Sequence, residues 1–469
     1  MAAELQQHVF AQLDRLAGPA GRFALGYSGG GDSHALLLLA TDWAKLRGRD
    51  LTALIVDHGL RPESADEAAL ALERAEAAGI PAEVLSWTGE KPQQGIQAAA
   101  RTARHTLLAT ACRRLGIAHL LLAHTLDDQA ETVWMRLVAG GGWRSLAGMR
   151  ERSASPVWPQ GRGLELIRPV LQVRRAALRQ YLDDADSDWI EDPSNLDRRY
   201  TRIRIREHLA SMEAQGFDPA RLAHWAAGLA GIDRAEAEAA GRLALDALKL
   251  EPWGAARIER ERYARSLPAV RLRLLDALVH ALALPGPAPA RRHLQRLDQA
   301  LIGGERVTAA RLMGLRWKSR SWLLRDPGSV LGRADLTQDT PGTHTPGNRL
   351  APQAHPDGTA TAPPWHPISA QITLESGLED AIISPLGRDY AGLEERSLLE
   401  RIPGIARPAL LAVRHCNRII ALPGLLGDER VGFDDWVPER FVTRLFAVTP
   451  PAWFDSEKVK AAPAETLSP

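Results

Sequence analysis

Short apolar runs alternate with longer amphipathic ones from about residue 22 to 170. "RFALGYS" precedes a helical stretch near 33–47, and "LTALIVDHG" precedes one near 63–78. "AEVLSW" is followed by "IQAAARTARHTLLATACRRLG", and "HLLLAH" by "DDQAETVWMRLVAG". Strand-like runs alternating with helical periodicity predict βαβ units and a parallel sheet. The expected fold class is α/β: a parallel twisted sheet with helices on both faces, Rossmann-like, then a helical domain and a small α+β C-terminal domain. Ligands of such sheets bind beyond the carboxyl ends of the strands. The unusual residues gather there: "SGGGDS" after the first strand, "DHG" after the second and "HTLDD" after the fourth.

Before the first strand, Leu5, Val9, Leu13 and Leu16 recur at helical spacing among acids, which predicts an amphipathic surface helix and not a signal peptide. Beyond "WIEDPSNLDRRYTRIRIRE" the chain turns Ala-, Leu- and Arg-rich with helical periodicity, and "RVTAARLMGLRWKSRSWLLRD" reads as a small hairpin. Residues 332–368 lose aliphatic content and gain Pro, Thr, Gly and His, a composition too poor in apolar surface to offset its ordering entropy. A compact pattern resumes near 371. The expected organisation is a catalytic domain at 1–215, a mainly helical domain at 216–331, a linker at 332–370 and a C-terminal domain at 371–469.

Composition changes little in this picture. Hydrophobic residues make up 45% and charged residues 25% of 469 positions, ordinary for a globular chain of several domains. Net charge is +1, so any nucleic-acid surface must be local, built from clustered arginines. No window reaches the roughly 18 uncharged apolar residues of a membrane span. Cys112 and Cys416 form no Cys-x-x-Cys, which argues against a disulfide framework and a cysteine metal site. The expectation is a cytoplasmic chain.

Gly29, Gly30 and Gly31, flanked by Ser28 and Ser33, sit where a strand turns into a helix. Glycines let backbone N–H groups approach an anion, and the helix dipole favours negative charge there. The loop is neither Walker A nor Gly-x-Gly-x-x-Gly. In place of a phosphate-reaching lysine it carries Asp32, and an acid beside a phosphate argues for a bridging magnesium ion held by Asp32.

The motif Ser-Gly-Gly-x-Asp-Ser resembles the PP-loop of the N-type ATP pyrophosphatases, which split ATP between its α- and β-phosphates. Three later stretches are similar to the tRNA(Ile)-lysidine synthetase branch of that family. They are "VDHGLRPESADEA" (Val56 to Ala68), "LLLAHTLDDQAETVWMRLVAGGG" (Leu120 to Gly142) and the Ile167–Glu207 region with "WIEDPSNLDRRYTRIRIRE". The C-terminal "GIARPALLAVRHCNRIIALPGLLG" resembles that family's tail module. The sequence departs at Thr125, where the family has a second His, and at Ile203, where it has Asn.

The resemblance implies an ATP- and magnesium-dependent ligase that joins free L-lysine to the wobble cytidine of a CAU-anticodon tRNA(Ile). It carries no membrane role and is compatible with a homodimer. ATP binding falls to Ser28, Gly29, Gly30, Gly31, Asp32, Ser33, Asp57 and His58. The family's essential arginine in the fourth helix maps to "AAARTARH", with Arg101 preferred over Arg104. Another PP-loop tRNA enzyme, such as a thiolase, and a non-catalytic nucleotide-binding regulator are the rival readings.

The acids Asp127, Asp128 and Glu131 open the helix after the fourth strand. Asp128 and Glu131 share a face, which suits either ordinary helix capping or a grip on a lysine ammonium with proton acceptance. Arg198, Arg202 and Arg206 stand four apart and repel one another on one helical face. Their compensating partner is either local acid (Asp192, Asp197, Glu207) or a phosphate of ATP or tRNA. His124, like His58, is expected at the same strand ends in a supporting role.

Overall fold

The structure, a computed structural model, describes residues 2–92, 94–190, 201–283 and 288–331, short strands at 353–354 and 360–361, and most of 370–461. Nearly all of the linker expected at 332–370 lies outside the described residues, as does Arg198. Two units divide the chain, Met1–Asp233 and Arg234–Pro469.

The first unit grows from strand β1 (Arg22–Tyr27), whose side chains alternate between two buried faces. Phe23, Leu25 and Tyr27 enter one apolar cluster, while Ala24 enters another. A strand buried on both sides must have helices on both sides, which is why its sequence reads as continuously apolar. After α1 (Ala2–Ala17) and β1, the chain runs α2 (Gly31–Arg47), β2 (Asp50–Asp57), α3 (Ser64–Ala77), β3 (Ala82–Ser86), α4 (Ile96–Arg114) and β4 (His119–Leu121). It continues through α5 (Leu126–Val138), α6 (Trp143–Leu146), β5 (Arg152–Ala154), β6 (Glu165–Ile167), α7 (Arg175–Asp184) and α8 (Thr201–Ala214).

The strands form one sheet in the order β3-β2-β1-β4-β6-β5, parallel except for β5 against β6. Val9 and Leu13 of α1, Leu36 and Trp43 of α2, Ala71 of α3 and Leu178 of α7 cover one face. Leu108 and Cys112 of α4 cover the other. The strand order reverses direction at β1, with β2 on one side and β4 on the other. This is the switch point where such a sheet opens a crevice for ligands. The expected α/β sheet is present, with helices on both faces.

Helix α9 (Ala220–Ala247) carries the chain from the first unit into the second. There the helical periodicity tells only part of the story. Helices α10 (Arg260–Arg265), α11 (Pro268–Leu282) and α12 (Arg291–Gly303) accompany a five-stranded sheet in the order β7-β8-β11-β10-β9. Its strands are β7 (Leu248–Glu251), β8 (Ala255–Ile258), β9 (Val307–Ala309), β10 (Leu312–Trp317) and β11 (Arg320–Arg325). The β10–β11 hairpin was legible. The β7–β8 hairpin was not, because its alanines favour helix and its strands span four residues each. Near the C-terminus, strands Ile382–Pro385, Leu411–His415 and Arg418–Ala421 pair antiparallel, and helix Val437–Phe446 packs Phe441 and Leu445 into the second unit's core.

A buried polar triad locks that core. Asp298 accepts Arg271 Nε at 2.8 Å, Arg271 Nη2 at 3.0 Å and the Tyr263 hydroxyl at 2.7 Å. Removing the one acid strands two buried donors, so Asp298→Ala is expected to destabilise the second unit by about 3–5 kcal/mol. Denaturant unfolding followed by tryptophan fluorescence reads this, and a loss below about 1 kcal/mol would contradict it.

Candidate active site

The loop at the carboxyl end of β1 takes its shape from glycine. Gly29 has φ +77°, and a Cβ there would lie 2.5 Å from Ile190 Cδ1. Ile190 N–H donates to the Gly29 carbonyl at 3.0 Å, and Trp189 lies against Gly31. His34 bridges Tyr27 OH (2.9 Å) and Ser187 Oγ (3.0 Å), tying the start of α2 to the same segment. Ser28 and Ser33 face each other, Oγ to Oγ at 3.1 Å, and Ser33 also donates to the Gly30 carbonyl at 2.9 Å. Gly30 caps α2 without a side chain, so the first N–H groups of the helix stay available to an anion.

Thr125 caps α5. Its Oγ1 accepts from Asp128 N–H at 3.3 Å, while Asp128 Oδ2 accepts from the Thr125 N–H at 2.9 Å. The residue standing where the family carries a second histidine is therefore a buried helix cap. The two oxygens of Asp128 have different partners. Oδ2 serves the cap, and Oδ1 meets an arginine.

That arginine is Arg175, the first residue of α7. Its Nε lies 2.9 Å from Asp32 Oδ2, its Nη2 3.0 Å from Asp128 Oδ1 and its Nη1 3.5 Å from Glu131 Oε1. Its backbone N–H donates to Asp127 Oδ2 at 2.7 Å, and Arg174 reaches Asp127 Oδ1 at 3.2 Å. Glu131 is buried and also takes Arg206 Nε at 2.8 Å. Asp32, Asp128 and Glu131 thus converge on one guanidinium, and Asp127 holds the backbone N–H of the same residue, where the N-termini of α2, α5 and α7 meet.

Charges in this pocket hold one another. Burial raises the Asp32 carboxyl above its ordinary value against the pull of Arg175. Burial also pushes Asp128 upward, but Arg175 and the Thr125 N–H outweigh it and hold that carboxyl below its ordinary value. Burial opposes the charge on Arg175, yet Asp128, Asp32 and Glu131 raise its pKa. Two carboxylate oxygens, Asp32 Oδ1 and Glu131 Oε2, are buried without a hydrogen-bond partner. A lone carboxylate oxygen beside a phosphate loop fits a magnesium ion that keeps waters and phosphates for its other ligands, and Asp32 would hold it.

A second cluster is cationic. Arg104 is pushed down to about 10 by burial and by the charges of Arg101 and Arg202. Arg168 falls to about 10 through burial, Arg101 and Arg104. Among the described residues, no acid forms an ion pair with Arg101, Arg104 or Arg202, and Arg104 Nε has no partner. His124, with Nδ1 unpartnered, is driven by burial to about 3 and stays neutral. Asp57 Oδ1 accepts from Gly59 N–H at 2.8 Å, and His58 stands edge-on to Trp87 at 6.2 Å.

The sequence therefore named the acids but missed the cation that joins them. A signal existed: two arginines, Arg174 and Arg175, open a helix whose dipole disfavours cations at that end, so acids must face them. Arg206 is spent on Glu131, an acid from another helix and not from its own segment. Arg202 joins Arg101 and Arg104 instead. Asp192 and Asp197, like Arg198, lie outside the described residues.

Residues 3–213 match the PP-loop domain family, so the sheet, the loop and the acids belong to a PP-loop nucleotide-binding domain. A tRNA(Ile)-lysidine synthase of Caulobacter vibrioides is 36% identical over 411 residues, covering 86% of both chains. One from a Bradyrhizobium strain is 40% identical over 309 residues, 62% of this chain and 85% of that one. The chain belongs to the tRNA(Ile)-lysidine synthase family. Among solved structures, a U34-tRNA thiolase from Methanococcus maripaludis aligns with 49% of this chain and 80% of its own at TM-score 0.41 and 17% identity.

His105, buried beside Arg104 with neither ring nitrogen partnered, yields a pH prediction. Burial, Arg104, Arg101 and Arg168 lower it from 6.5 to about 4. The unfolded chain takes up a proton that the folded chain refuses. The stability linked to this group is therefore present above pH 6.5 and is lost as pH falls towards 4. His105→Phe removes that limb, so between pH 7 and 4.5 its melting temperature is expected to fall less than the wild type's, by about 1–3 kcal/mol of stability. Parallel melting curves for both chains would contradict this.

Proposed function

We propose that this chain is an ATP-dependent ligase that joins free lysine to the 2-carbon of the wobble cytidine of a CAU-anticodon tRNA(Ile), forming lysidine. The observation that carries the reading is the meeting of Asp32, from the PP-loop helix, with Asp128 and Glu131, from the acid helix, within 3.5 Å of one side chain. A nucleotide-handling loop and an ammonium-handling pocket at one point suit a reaction that activates one substrate and hands it to an amine.

The reaction has two displacements. In the first, the cytosine 2-oxygen attacks the α-phosphorus of ATP and pyrophosphate leaves. The N–H groups at the start of α2 and the glycine loop bind the departing phosphates, and Arg101, Arg104 and Arg202, which pair with no acid among the described residues, supply positive charge for phosphate oxygens. Magnesium at Asp32 would neutralise charge on those phosphates. In the second, the lysine amine attacks the 2-carbon and AMP leaves. Asp128 and Glu131 orient the ammonium, and a carboxylate accepts the proton that the amine gives up. Asp127 and Arg174 steady the helix starts on which these groups stand.

The division at 216–331 and 371–469 into tRNA-holding parts, the free-lysine substrate and the homodimer belong to this same reading. Among the described residues no helix is long and apolar enough to cross a membrane.

Incubation with tRNA(Ile), ATP and radiolabelled lysine tests the assignment. Label is expected in the RNA with the wild-type chain. Asp32→Ala is expected to fold yet release pyrophosphate at least about a hundredfold more slowly, as for loss of an electrostatic stabiliser of the transition state. No label with the wild type overturns the ligase reading, and near-normal pyrophosphate release by the folded variant overturns the role of Asp32.

A further inference from the structure

Arg175 is the feature that the two displacements leave unused. Its guanidinium bridges Asp32 on α2 and both Asp128 and Glu131 on α5, so it spans the nucleotide half of the pocket and the amine half. It also occupies, in charge and position, the place where the reaction brings cations. A divalent ion at Asp32 and an ammonium at Asp128 and Glu131 would satisfy the same carboxylates.

The fixed charges do not balance on the acid side once Arg175 leaves. Arg174 engages Asp127, and Arg206 engages one oxygen of Glu131. Asp32 and Asp128 have no other cation within ion-pair reach among the described residues. Glu131 is 2% exposed and keeps a buried Oε2 without a hydrogen-bond partner. Three carboxylates this close and this buried repel one another and need a cation among them.

We propose that Arg175 is a resident counter-ion: it neutralises the acid pocket of the empty enzyme, and the cations that arrive with the substrates displace it. Its hold on both halves makes the displacements cooperative. An ion that takes Asp32 releases one arm of the fork and loosens its grip on Asp128 and Glu131, so loading the nucleotide side opens the amine side. Arg175 is a positioning residue in this scheme. It touches neither reacting atom, and it sets the order in which the pocket accepts charge. The cost is a built-in competitor that weakens ground-state lysine binding; the gain is that the acids stay aligned when no substrate is present.

The inference rests on the ligase reading, and the test separates the two. Full-length wild type, Arg175→Gln and Arg175→Lys are melted across titrations of Mg2+ alone, L-lysine alone and both together. Without ligand, Arg175→Gln is expected to melt below the wild type, because the acids repel. It is also expected to gain more from Mg2+, with half-maximal stabilisation at roughly tenfold lower concentration, as for freeing a charge-assisted site. Lysine is expected to stabilise this variant more than the wild type as well. Arg175→Lys, which keeps the charge but cannot fork across three carboxylates, falls between them. A clamp with only a structural role would lower the melting temperature without changing the response to cations, so equal gains in variant and wild type overturn the proposal. If Arg175→Gln does not fold, the Lys variant decides alone, since a gain no larger than the wild type's again overturns it. A wild type that transfers lysine to tRNA while Arg175→Gln shows no extra gain removes this inference and leaves the ligase reading intact. Extra gain without any lysine transfer by the wild type removes the ligase reading and leaves the counter-ion standing.

Discussion

Four carboxylates gathered at the starts of two helices need a cation, and the rest of the catalytic unit depends on how Arg175, at the start of a third, meets that need. Its three ion pairs reach α2 and α5 from α7, elements far apart in sequence, and its backbone N–H adds a fourth tie through Asp127. Coulomb attraction in a half-buried pocket is several times stronger than in water, so these contacts set the spacing of the helix starts. The same N-termini present a positive dipole end, which suits both the acids that stand there and the phosphates the loop is shaped to receive.

Around this centre the sheet supplies rigidity and the loops supply chemistry. β1 is buried on both faces, so the glycine turn at its end starts from a fixed point. The Trp189–Ile190 segment closes against Gly29 and Gly31 and leaves no room for a side chain at Gly29. On the other flank, Arg101, Arg104 and Arg202 repel one another and find no described acid. An unbalanced cationic cluster beside a neutralised acidic one is the arrangement expected where a polyanion and an amine must meet.

Much of this was legible. The alternation of short apolar runs with helical periodicity placed β1 to β4 and α2 to α5 nearly to the residue, whereas the three-residue strands β5 and β6 were too short to carry a pattern. Asp32, Asp128 and Glu131 stood out as acids where helix starts crowd the sheet edge. What stayed hidden depends on long-range meeting. Two arginines at the start of α7 announce that acids must face them but not which ones, and nothing near Arg206 announces Glu131. The β7–β8 hairpin escaped for a local reason, since each strand is four residues long and Ala255 and Ala256 in β8 favour helix. Asp128 carries two contacts, with one oxygen completing the cap of α5 and the other meeting Arg175.

If the loop serves the nucleotide while Asp128 and Glu131 serve the amine, one variant should separate the two displacements. Single-turnover analysis of Glu131→Gln, following adenylated tRNA and lysine incorporation separately, tests it most directly. Glutamine keeps an oxygen for Arg206 and Arg175 but loses the charge that holds an ammonium and the basicity that accepts its proton. Adenylated tRNA should form at near wild-type rate and accumulate, while lysine transfer falls roughly ten- to a hundredfold, the loss of one charge-assisted contact. Adenylation that fails as badly as transfer would place these acids with the nucleotide and contradict the division of labour.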